Sequence, residues 1–174
     1  MRKTKKILTK EAPINDELRL RGFFRIKVGR PMNENGTIGV ADGDSGWFPN
    51  TITNLGKDAY LSQLLAHMAG SLYVSYAALG TGGTLNATAT ALPGELTGTG
   101  LRMAVIATTI NQSGTVQFAF TLNSGFTAAT GNISNVALFA ISNATSGQPF
   151  AGNTYASSAL ASNQAVNGSY QIQF

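Results

Sequence analysis

Val116, Phe118, Phe120 and Leu122 alternate with Gln117, Ala119 and Thr121, and Tyr170, Ile172 and Phe174 alternate with Ser169, Gln171 and Gln173. A period of two sends successive side chains to opposite faces of an extended strand, whereas a helix repeats every 3.6 residues. Both runs lie in the stretch from Met103 to Phe174, which contains no Asp, Glu, Lys or Arg. Strand candidates Leu101–Ile110, Thr115–Leu122 and Ile133–Ile141 are set apart by the turn-forming strings NQSG, NSG and TGN. The expected fold is mainly β, with short strands joined by turns.

Composition narrows the class further. A chain of 174 residues fits one domain and can bury a sizeable core. Only 11% of its residues are charged, against about 25% in ordinary soluble domains. Free domains carry mixed surface charge for solubility, so a neutral body suits a molecule packed among neighbours. Cysteine is absent, which excludes disulfides, thiolate catalysis and cysteine-ligated zinc. No apolar run reaches the roughly 18 residues that span a bilayer. The basic start is not followed by a hydrophobic region, so neither a membrane span nor a secretory signal is expected.

Charge is concentrated at one end. Residues 1–30 hold ten Lys and Arg and three acids, for +7, while the rest holds two bases and five acids, for −3. Met1 to Pro13 has no usable hydrophobic period, and residues 1–17 read as an extended arm, with a solvated tail as the plainer alternative. The candidate assembly residues are Arg2, Lys3, Lys5, Lys6, Lys10, Arg19, Arg21, Arg25, Lys27 and Arg30. From Leu18 to Val28 the pattern alternates, with Leu18, Leu20, Phe24, Ile26 and Val28 on one face and Arg19, Arg21, Arg25 and Lys27 on the other. That pattern fits an edge strand guarded by cations or a functional basic face equally well. Asn33-Glu-Asn-Gly36 predicts a turn into a second strand over Thr37–Ala41.

Asp42-Gly-Asp-Ser-Gly46 resembles the string around a serine nucleophile, but Ser45 would need a histidine base and an orienting carboxylate. The only histidine, His67, lies downstream in an expected helix. Asp42 and Asp44 have the first spacing of a calcium loop, yet the later acidic ligands are missing. A turn between strands is the expectation here, and no metal site is predicted. A helix is expected over about 54–69, capped by Thr53 or Asn54, with Leu61, Leu64, Leu65 and Met68 on its apolar stripe and His67 beside it as a structural residue.

Tyr73 to Arg102, YVSYAALGTGGTLNATATALPGELTGTGLR, reads as a strand running into a long Gly/Thr/Ala loop that feeds the next strand. Gly80-Thr-Gly-Gly83 lacks the following Lys of a phosphate-binding loop. The loop carries one acid, Glu95, and the strand after it begins with one base, Arg102. These two are expected to approach each other as a structural pair. The order of an ALGTG strand end, a Thr/Ala loop, an E-L pair and an Arg resembles a β-rich family of bacteriophage virion proteins. The likeness extends loosely over residues 36–174, through GWFPNTITNLGKDAYLSQLLAHMAG and GNISNVALFAISNATSGQPFA to a final strand.

The resemblance implies a structural subunit of a virion, capsid-associated (decoration or minor capsid) or a tail, neck or fibre component. Assembled in the bacterial host cytoplasm, it would contact other virion proteins and form a homo-oligomer. The expected architecture is an antiparallel β-sandwich, jelly-roll-like, of about eight strands over residues 18–174, with one helix and the N-terminal arm. No cofactor and no catalytic residue are expected. Two other classes stay open: a nucleic-acid-binding module using the arm as a phosphate clamp, against which the scarcity of bases on the body weighs, and a carbohydrate-binding module using Trp47, Tyr73 or Tyr155.

Overall fold

Strand β1, Arg21–Pro31, places Phe24, Ile26 and Val28 in the core and turns Arg21, Arg25 and Lys27 outward. The computed structural model describes residues 20–57, 73–98, 101–110, 114–124, 131–142 and 147–173. The expected arm, with Arg2, Lys3, Lys5, Lys6, Lys10 and Arg19, lies outside the described residues. So do residues 58–72, which hold most of the expected helix, including Leu61, Leu64, Leu65, His67 and Met68.

The remaining strands are β2 (Ile38–Asp44), β3 (Phe48–Pro49), β4 (Thr51–Ile52), β5 (Tyr76–Gly80), β6 (Arg102–Ala104), β7 (Ile106–Ile110), β8 (Thr115–Leu122), β9 (Gly131–Phe139), β10 (Ala151–Leu160) and β11 (Ala165–Gln173). They form two antiparallel sheets packed face to face, a β-sandwich. One sheet runs β2-β1-β11-β8-β7, with β3 also against β1; the other runs β4-β10-β9-β5-β6. The pairing of β1 with β11, the last strand, is shared with a jelly roll. The pairs β7–β8 and β9–β10, by contrast, each stay within one sheet.

Period-two patterning explains the core between the sheets. Phe24, Ile26 and Val28 of β1, Phe120 and Leu122 of β8, and Tyr170 and Ile172 of β11 point inward from one sheet. Leu79, Met103, Val136, Leu138 and Tyr155 meet them from the other. Phe24 joins the layers: its ring centroid lies 5.9 Å from that of Tyr155 and 6.3 Å from that of Tyr170.

Three expectations are corrected. First, β1 is not an edge strand. β11 pairs with it from Arg21 to Gly29, and β3 and β2 occupy its other flank. The cations mark its solvent face, not an open edge. Second, Asp42-Gly-Asp44 belongs to β2 rather than to a turn. The hairpin turn is the expected NENG, where Gly36 adopts φ 73° and Asn33 Oδ1 accepts from Thr37 N. Third, the apolar run Leu101–Ile110 is two strands in different sheets. The chain crosses at Val105, whose N–H donates to the Ser75 carbonyl at 2.9 Å.

The start of the expected helix is visible as one turn, Asn54–Lys57. Thr53 caps it: Oγ1 accepts from Gly56 N at 2.9 Å, and its carbonyl accepts from Lys57 N at 3.1 Å. The same hydroxyl donates toward the Pro149 and Phe150 carbonyls, which ties this turn to the entrance of β10. Among the described residues, no helix is long and apolar enough to cross a membrane.

Candidate functional site

The long segment between β5 and β6 folds back over the outer face of its own sheet. Leu85 and Leu92 are buried there against Ala78, Ala137 and Phe139 in a second, smaller apolar cluster. Backbone bonds close the neck of the loop. Thr81 N donates to Gly94 O, Gly82 N to Pro93 O and Leu96 N to Leu79 O, while Gly80 bridges to Glu95. The glycines that resemble a phosphate loop are thus used for close approach of two chain segments. A Cβ on Gly82 would sit 2.6 Å from Pro93 Cβ and closer still to its carbonyl, whereas one on Gly83 would meet nothing within 4 Å. Gly82→Ala should therefore lose about 1–3 kcal/mol in urea unfolding. Equal losses for Gly82→Ala and Gly83→Ala would show that the two segments separate freely.

Two polar groups hold this loop. Asn135, fully buried on β9, donates through Nδ2 to the carbonyls of Pro93 (2.9 Å) and Gly83 (3.2 Å). Arg102 and Glu95 form a bidentate ion pair, Nε to Oε1 at 2.6 Å and the Nη2 amine to Oε2 at 3.0 Å. Their side chains retain only 2% and 8% exposure. Arg102 Nη1 also donates to the Ile141 carbonyl at 3.0 Å, and the guanidinium lies 3.7 Å over the Phe139 ring. The charge is thereby matched by carboxylate, carbonyl and ring, which makes a clasp rather than a site offering an open cation to a ligand. Asn135 was missed in the sequence, although a lone amide inside ISNVALF is the kind of buried polar group that demands partners.

The basic candidates that are described separate into different environments. Arg21 and Arg30 are exposed at the two ends of β1. Arg25 grips Asp44, with Nε 2.8 Å from Oδ1, and the Arg25 hydrogen bond holds the Asp44 carboxyl down to about 2. Lys27 lies in register with Asp44 on the same strand pair. Arg25 is therefore engaged within its own chain. In the neighbouring string, Ser45 Oγ accepts from Ile26 N and donates to Gly46 O, and Asp42 Oδ2 accepts from Gln164 Nε2. Both acids and the serine thus stitch β2 to its surroundings. Among the described residues, no three His, Cys, Asp or Glu side chains gather as metal ligands.

Of the three candidate glycan-binding aromatics, Trp47 is 44% and Tyr73 71% exposed, but Tyr155 keeps only 8% and belongs to the core. Burial pushes the Tyr155 phenol up and removes it from any surface platform. Where β1 begins, a cavity of about 260 Å³ is lined by Leu20, Arg21, Phe23, Asn50, Ile52 and Lys57 among others. Compared with protein-family models, curated proteins and solved structures, the chain matches none.

Proposed function

We propose that this chain is a structural subunit of a bacteriophage virion, a capsid-associated decoration or minor capsid protein or a tail, neck or fibre component, anchored by residues 1–17. The observation that carries the reading is the separation of charge. Ten of the twelve Lys and Arg lie in residues 1–30, and nothing after Arg102 is charged. The basic segment leads into β1, which is flanked on both sides by other strands and carries three buried core residues. Load on the arm would pass directly into the sandwich. The ALGTG-to-Arg102 order and the neutral Asn, Ser and Thr loops support the virion class. The partners are other virion proteins and further copies of the chain.

Individual exposed ion pairs contribute only about 0–1 kcal/mol, so anchoring depends on many contacts made together. Deleting residues 1–17 should leave the unfolding transition in place and sharply reduce the copy number per particle. Incorporation of the full chain should weaken as salt rises, and that of the truncated chain should respond less. Normal copy number for the truncated chain would overturn the anchoring role.

A further inference from the structure

A β-sandwich has four sheet edges, and three of them here are blunted. β4 and β6 are two and three residues long. β2 carries Asp42 and Asp44 and meets β1 with two register shifts, which are the usual protections against unwanted pairing. Among the described residues β7 has none of these, and no described segment pairs with its outer flank. It is a five-residue edge, Ile106-Ala-Thr-Thr-Ile110, with no charge, no proline and no register shift against β8. Ile106 is 71% exposed, and Ala107 and Thr108 are also exposed. An open edge presents unpaired backbone N–H and C=O groups, and natural proteins rarely leave one unguarded without use.

We propose that β7 is a self-association edge, at which two copies of this chain pair their β7 strands antiparallel and continue one sheet through both. This pairing does not depend on a virion role. An antiparallel edge is self-complementary about a two-fold axis. A register centred on Thr108 sets position 106 of one copy opposite position 110 of the other and brings the exposed Ile106 against the partner's strand. Charge selects the occupant: β7, β8 and β11 lie wholly within the uncharged stretch after Arg102. Two copies therefore meet without repulsion, while a strongly basic segment such as residues 1–17 finds no acid there. The contact is small, so it gives a concentration-dependent dimer that strengthens when several contacts act together.

Sedimentation of the full chain over a wide concentration range should show reversible dimers. Ile106→Lys should weaken association about tenfold or more, because it replaces the exposed apolar side chain with a charge that the partner's neutral strand does not match. Val40→Lys, on the opposite edge where Val40 is 83% exposed, should not. The chain has no cysteine, so Thr108→Cys supplies a unique thiol. Mild oxidation should give a covalent dimer with Thr108→Cys and little with Val40→Cys, and this decides the matter even if Ile106→Lys fails to fold. A monomer at all concentrations, an Ile106→Lys chain that associates as tightly as the parent, or equal cross-linking at both thiols would overturn the proposal.

Discussion

Arg102→Ala should lower the unfolding free energy by about 3–5 kcal/mol, and Glu95→Ala should come close to the same loss. Each removal strands a charge that the fold has taken out of water, since the partner keeps under a tenth of its side-chain exposure. The second contribution to the Arg102 loss is geometric. Its guanidinium bonds both Glu95 oxygens and the Ile141 carbonyl while resting on Phe139, so three segments are fastened by one side chain. Arg102→Lys should recover little, because an ammonium cannot reproduce the bidentate fork. The double variant Arg102→Met, Glu95→Leu should be more stable than either alanine variant, as removing both charges leaves neither unpaired. Urea unfolding measures all four. Strictly additive losses, or single losses under about 1 kcal/mol, would mean that the pair behaves like a solvated surface bridge.

Phe24→Ala should lose about 3–5 kcal/mol, the range for removing a buried ring and leaving a cavity. Phe24 has no exposed surface, and its ring meets Phe48, Tyr155 and Tyr170. Those neighbours come from three different strands in both sheets, which limits how far they can collapse into the gap. Arg21→Ala, on the exposed side of the same strand, should stay within about 0.5 kcal/mol. Thermal and urea unfolding of the pair test whether the face assignment of β1 is right. A small loss at Phe24 would place the joint between the sheets elsewhere.

Local patterns carried much of this architecture. The alternation over residues 116–122 specifies β8 and its inward face, because side-chain direction in a strand follows from backbone sterics within a few residues. NENG specifies a turn and Thr53 a cap for similar reasons, each needing only its immediate neighbours. The approach of Glu95 and Arg102 was legible in a different way. In a body with so few charges, each has few alternative partners.

What only the tertiary structure decided is who stands beside whom. The pattern of β1 shows two faces and cannot say whether its flanks are open, since the strand that covers one of them, β11, arrives more than a hundred residues later. Leu101–Ile110 looks continuous because both of its halves are strands. The crossing at Val105 depends on β5 holding one half and β8 the other. The same holds for the glycines of the loop, whose use becomes clear only when Pro93 folds back onto Gly82. Sequence determined strands, faces, turns and caps, which are set by short-range sterics and hydrogen bonding. Pairing partners, buried loops and the edge that no described segment covers came from contacts between distant segments, for which period and propensity carry no signal.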